Sequence, residues 1–234
     1  MIGKIPLILL PGLLCDAALW QYQMTALAEF SEPCVADLTA SDSIAAMASS
    51  VLAAAPERFA LAGLSMGGYV AFEILRRAPE RVSRLALLDT SARADTEEVR
   101  VRRHGLIELA RIGKFKGVTP RLLPLLLHAE HLVEPFTGIV TGMAERVGQA
   151  AFIRQELAIL NRIDSRPSLA AIDVPTLVLC GDADQLTPPA IAEEIAAGIA
   201  GARFTLIEGS GHLSPLEQPE VVNRAMIEWL TDMF

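Results

Sequence analysis

The sequence predicts an α/β fold: a mostly parallel sheet of about six strands, helices on both faces, and a helical insertion in its second half. Three observations carry this. Short runs that are apolar throughout, such as Ile5-Pro6-Leu7-Ile8-Leu9-Leu10, lack the alternation of a half-exposed strand and read as strands covered on both faces. These runs alternate with longer stretches whose apolar residues recur at helical spacing. Between residues 93 and 165 the alternation stops, and helical periodicity continues with several prolines and no convincing buried strand.

The elements follow in order. Ile5–Leu10 is the first strand, cut by Pro11, and residues 18–29 form a helix. Residues 34–37 make a short strand and residues 43–55 an alanine-rich helix. The strand at residues 59–62 runs directly into a helix at Met66–Arg77, where Val70, Ala71, Ile74 and Leu75 have core spacing and Pro79 marks the end. Val82–Leu88 is the next buried strand and ends in Asp89. After the helical stretch come a strand at 174–180, a helix at 189–197, a strand at 204–207 and a closing helix at 217–233. The expected organisation is one core of residues 1–92 and 166–234, with segment 93–165 crossing one end of the sheet.

Composition narrows the class. At 52% hydrophobic and 21% charged, the 234 residues can bury a sizeable core. A net charge of −8 without a basic stripe argues against nucleic acid or an anionic membrane as partner. The densest basic run, Arg100-Val101-Arg102-Arg103, stands beside Glu97 and Glu98 and reads as a solvated helix face. Cys15, Cys34 and Cys180 lack metal-ligand spacing and suit a reducing compartment. The apolar run before Pro11 is too short for a signal-peptide core, and no run reaches the ~18 residues of a membrane span. A cytoplasmic protein is expected, with its oligomeric state open.

Ligands of open parallel sheets bind beyond the carboxyl ends of the strands. Four loops at such ends carry chemistry-bearing residues: Pro11-Gly12-Leu13-Leu14, Gly63-Leu64-Ser65-Met66-Gly67, Gly181 to Pro188 with Asp182 and Asp184, and Glu208 to Pro215 with His212. A serine hydroxyl needs a base to become a nucleophile, histidine is the usual base at neutral pH, and a carboxylate fixes the histidine tautomer. Each residue also has a plainer use. Ser65 suits a helix N-cap, Asp184 a turn before Thr187-Pro188, and His212 a surface loop. Strand context, chain order and a shared sheet edge favour the joint reading of Ser65, Asp184 and His212 as a catalytic set.

Four stretches, LILLPGLLCDAALW, LAGLSMGGYVAFEILRRAPERVSRLALLDT, PTLVLCGDADQLTPP and IEGSGHLSPLEQPEVV, resemble the α/β-hydrolase superfamily over nearly the whole chain outside residues 93–165. The resemblance implies nucleophile Ser65, acid Asp184, base His212, and an oxyanion hole from the backbone N–H groups of Leu13 and Met66. It implies a serine hydrolase of carboxylic esters or related acyl compounds, working through an acyl-enzyme on a small-molecule acyl substrate with no cofactor and no metal. Enol-lactone hydrolysis, carbon–carbon bond hydrolysis, perhydrolysis and a slow-turnover binding or signalling role stay open. A serine nucleophile argues against dehalogenase or epoxide hydrolase chemistry, where relatives carry Asp.

The chain departs from many relatives in having Pro11-Gly12 where they have His-Gly. The strand hairpin that opens many of them has no room before Ile5, so a minimal sheet is expected. Asp89 and Asp182 are rival acids, with Asp184 favoured by the Gly-x-x-Asp-x-x-Thr-Pro pattern. His128 and His131 lack a complete metal motif and read as a polar helix face, and Cys15 as a small buried hydrophobe. Segment 93–165 resembles the helical cap of the superfamily. Its most apolar part, residues 120–127, reads as the cap's own core or as a wall for an acyl group. Arg154, Gln155 and Arg162 suit either a polar substrate end or salt bridges within the cap.

Overall fold

The structure, a computed structural model, describes residues 4–231. Its sheet has six parallel strands in the order β2-β1-β3-β4-β5-β6. They are β1 (Ile5–Leu10), β2 (Ser31–Val35), β3 (Phe59–Leu64), β4 (Val82–Leu88), β5 (Thr176–Gly181) and β6 (Arg203–Ile207). β3 and β5 are buried at every position, because both faces of the sheet are covered.

Alternate side chains divide the core into two layers. Ile8, Leu10, Leu61, Leu85, Leu87 and Val178 point to one face, Leu7, Leu9, Ala62, Leu88, Leu177 and Leu179 to the other. Helices α2 (Ile44–Ala54), α3 (Met66–Arg77) and α7 (Pro189–Gly198) cover the first face through Met47, Val51, Val70, Ile74 and Ile195. The second is covered by Trp20 before α1 (Gln21–Ala26) and by Val222, Met226 and Trp229 of the last helix, α9 (Pro219–Leu230).

Between β4 and β5 the chain is helical: α4 (Glu97–Leu109), α5 (Leu123–Leu126) and α6 (Phe136–Leu160), with a break in α6 at Gly148, whose φ is 75°. A buried ion network ties the start of this stretch to its end. Asp95 pairs with Arg103 and Arg162, both at 2.7 Å, and Arg103 also with Glu156 at 2.7 Å. Arg103 is therefore turned inward, unlike the solvated position expected of the basic run. A third apolar cluster joins Ala110, Ala144 and Phe152 of this stretch to Leu14, just beyond β1.

The sheet matches the expected six parallel strands. Boundaries moved where local chemistry was ambiguous. The helix expected at 18–29 is two 3-10 turns around α1, the first capped by Asp16, whose Oδ1 accepts from Ala18 N at 2.9 Å. The second strand starts at Ser31 rather than residue 34. The closing helix is split into α8 (Ser214–Glu217) and α9, because Gln218 leaves the helical region before Pro219; its expected last residues, 232 and 233, lie outside the described residues.

Candidate active site

The turn from β3 into α3 is tight enough to exclude side chains. A Cβ on Gly63 would lie 2.5 Å from the carbonyl oxygen of Gly67, and one on Gly67 would collide with the Leu10 carbonyl of β1. Between them Ser65 sits at φ 52°, ψ −115°, a backbone region that non-glycine residues rarely occupy. Its N–H donates to Leu88 O at 3.0 Å, and its carbonyl accepts from Gly68 N at 2.9 Å and Thr90 Oγ1 at 2.7 Å. The hydroxyl makes no capping bond to α3. The N-cap reading of Ser65 thus fails on geometry: the serine is held by its main chain, and its side chain is left over.

Two backbone donors beside it are also left over. Met66 opens α3, so its N–H has no intrahelical acceptor. Leu13 lies in the turn after β1, and among the described residues its N–H has no partner. The two loops touch, since a Cβ on Gly12 would sit 3.4 Å from Ser65 Cβ. The turn is held from the helical stretch by the fully buried Gln155, whose Oε1 accepts from Leu14 N at 3.1 Å and whose Nε2 donates to Leu38 O at 3.3 Å. Leu14 itself has φ 58°.

After β5, Asp184 serves both as turn-former and as histidine partner. Its Oδ1 accepts from Leu186 N at 2.8 Å and Thr187 N at 3.0 Å, and its Oδ2 from Thr187 Oγ1 at 2.7 Å. The same Oδ2 is 2.8 Å from His212 Nδ1. An ionised carboxylate there assigns the ring proton to Nδ1 and leaves Nε2 as a free lone pair. Burial pushes the Asp184 carboxyl up, but the adjacent His212 and the bonds from His212 and Thr187 outweigh it and hold the group at about 2. For His212 burial acts downward, yet the Asp184 charge and bond raise it above its ordinary value.

Of the rival acids, Asp182 accepts from Ser210 N at 3.2 Å and touches no histidine. Asp89 is fully buried at the end of β4 and binds Gly181 N (2.8 Å) and Ser214 Oγ (2.5 Å) rather than His212. Burial, then the neighbouring Asp184 charge, push its carboxyl up to about 8. Asp89, Cys180 and Asp184 are the one group among the described residues with clustered metal-ligand types. They fit an ion poorly: the carboxylates are taken up by protein donors, and burial raises the Cys180 thiol, keeping it protonated.

His128 caps and His131 ends a single 3-10 turn, Ala129–His131, with their rings 6.0 Å apart edge to face, and His131 Nδ1 lies 3.0 Å from Glu217 Oε2. Arg154 donates to Thr39 O, and Arg162 stacks on Tyr69 with its guanidinium carbon 4.3 Å from the ring centroid. In residues 120–127, Leu123 and Leu127 are buried in the second core layer while Leu122 and Leu125 are exposed. Cavities of about 290 and 440 Å³ open beside Tyr69 and beside Leu123, and neither borders Ser65 or His212.

A profile described as the alpha/beta hydrolase family matches residues 7–225. The chain belongs to the α/β-hydrolase family. Within it, a pimeloyl-[acyl-carrier protein] methyl ester esterase of Neisseria meningitidis serogroup B (strain H44/76) is 28% identical over 182 residues, covering 76% of this chain and 70% of that one. A thermophilic esterase from Thermogutta terrifontis superposes with a TM-score of 0.88 at 29% identity, over 98% of this chain and 91% of that one. The enol-lactonase from Burkholderia xenovorans LB400 gives 0.86 at 27% identity, over 98% and 92%. No helix among the described residues of this α/β-hydrolase is long and apolar enough to cross a membrane.

Proposed function

We propose that the chain is a serine hydrolase of carboxylic esters or related acyl compounds, acting through an acyl-enzyme. The observation that carries this is the 2.8 Å Asp184–His212 pair, on the same sheet edge as a Ser65 hydroxyl that caps nothing. In this reading Ser65 Oγ attacks the carbonyl and His212 Nε2 takes its proton. His212 then returns that proton to the leaving group, and water repeats the sequence to release the acid. Asp184 holds the tautomer and stabilises the imidazolium. The unpartnered N–H groups of Met66 and Leu13 receive the developing oxyanion, with the α3 dipole adding to the first.

Residues 93–165 are the cap in this reading, and Phe115, Val118 and Phe152, packed with Leu13 and Leu14, form an apolar wall suited to an acyl chain. The esterases among the relatives support the substrate class, and the likeness to an enol-lactonase over 98% of this chain favours a cyclic ester as second reading. Lactone opening would use the same residues, with the leaving oxygen staying on the acyl fragment.

A fluorophosphonate probe is expected to label Ser65 stoichiometrically, read by peptide mass spectrometry; a folded protein that stays unlabelled would refute the nucleophile. The pH dependence has a definite sign. The base must be neutral, and His212 is raised, so kcat/KM should fall tenfold per unit as pH drops through a midpoint above the ordinary ~6.5. A midpoint below 6 would contradict His212 as base.

A further inference from the structure

We propose that Glu217 and His131 form a positioning pair that locks the loop carrying His212 onto the helical segment; this rests on the reading of His212 as the base. Glu217 ends α8, and its side chain has no exposure. A carboxylate removed from water must be compensated by donors, and the way Glu217 finds them is specific. Oε1 accepts from Gly211 N at 2.9 Å and Leu213 N at 3.3 Å, the two residues flanking His212, with Ser210 Oγ at 3.4 Å. Oε2 accepts from His128 N at 2.6 Å and faces His131 Nδ1 at 3.0 Å, both in the segment after α5. One carboxylate thus divides its two oxygens between the base loop and the insertion.

The main chain of His212 is held on a second side from the same segment, since its N–H donates to Leu126 O at 2.9 Å. His131 in turn packs on Phe136, the first residue of α6, with ring centroids 4.5 Å apart. A mere loop staple would draw its donors from the loop; here two of the five come from residues 86 and 89 positions away. The pair therefore sets where His212 stands relative to Asp184, and only with the insertion seated is the 2.8 Å bond held.

Three variants of the full chain test this: Glu217→Gln, His131→Phe and His131→Asn. Glutamine turns an NH₂ toward donors on one side of the split, so kcat should fall about 100-fold with KM nearly unchanged, as expected for a displaced catalytic group. Phenylalanine keeps the packing on Phe136 but removes one charge-assisted bond, for about a tenfold loss of kcat. Asparagine restores an N–H near the Nδ1 position and should recover most of that loss.

An activity-independent readout is the titration midpoint of the His212 ring by NMR. The titratable groups acting on that ring are Asp184 after β5, Asp89 at the end of β4 and Glu217 of α8. Drift from Asp184 lets burial dominate and lowers the midpoint. Glu217→Gln also removes a charge, so His131→Phe, which keeps it, is the decisive case. A lowered midpoint in His131→Phe, restored in His131→Asn, supports the pair. Equal behaviour of the two His131 variants, or a fall in Tm with midpoint and kcat both unmoved, overturns it. If Glu217→Gln fails to fold, the two His131 variants decide alone. A wild type that resists fluorophosphonate overturns the hydrolase reading instead, and the NMR midpoint still judges the pair.

Discussion

Replacing Ser65 with alanine is expected to lower kcat by about 10⁶ while leaving the melting temperature nearly unchanged. The size follows from what remains. His212 and Asp184 keep their bond and the Met66 and Leu13 amides keep their positions, so bound substrate is still polarised, but no covalent intermediate can form. The stability expectation follows from the bonds of Ser65, all of which are made by its main chain. In the proposed mechanism base and nucleophile act as a unit, so Ser65→Ala combined with His212→Ala should lose little more than either alone. Steady-state rates on short acyl esters decide this. A single variant retaining a tenth of wild-type activity would assign the nucleophile elsewhere.

Asp184→Asn should cost about 10⁴ in kcat, by a route the hydrogen bonds define. Oδ1 receives two backbone donors, Leu186 N and Thr187 N, so an amide at this position must keep its oxygen there. Its NH₂ then takes the place of Oδ2 and donates toward His212 Nδ1. The ring proton moves to Nε2, and the imidazole can no longer accept from Ser65. Asp89→Asn is the control: Asp89 has no bond to His212, and most turnover should persist. Comparable losses in the two variants would restore Asp89 as a rival acid.

Much of the fold was legible because parallel strands covered on both faces leave uninterrupted apolar runs, as in Leu85-Ala86-Leu87-Leu88. Boundaries were less so where Pro33 and Ser31 disguise an edge strand, and where 3-10 turns imitate helical spacing around residues 17–29. Loop position and chain order brought Asp184 and His212 to one sheet edge, but Asp182 shares that loop and Asp89 ends a neighbouring strand, so only the Gly-x-x-Asp-x-x-Thr-Pro pattern singled out Asp184. What stayed hidden were side chains whose partners are remote. Gln155 meets Leu14 across 141 positions, and Glu217 meets His131 across 86. In sequence, Glu217 is one more acidic residue near a helix start. Thr187 was nearer to view: a hydroxyl three residues after an aspartate is a capping spacing, and here it orients the carboxylate that faces His212.

Leu14, Ser65 and Asp89 are the non-glycine residues with positive φ among those described, and each follows a strand at the same edge of the sheet, after β1, β3 and β4. Backbone of this kind carries about 1–3 kcal/mol of strain per residue. A laboratory selection for heat resistance alone would find gains by relaxing these turns where no buried side chain is lost, for example with Ser65→Gly, since the serine side chain makes no cap bond. Survivors of that selection should be sturdier and slower, because in the proposed mechanism two of these turns hold the amide of Leu13 and the hydroxyl of Ser65 in place. Screening for thermal tolerance and activity together would instead direct improvement to the far edges of the sheet, where the chain has no such obligation.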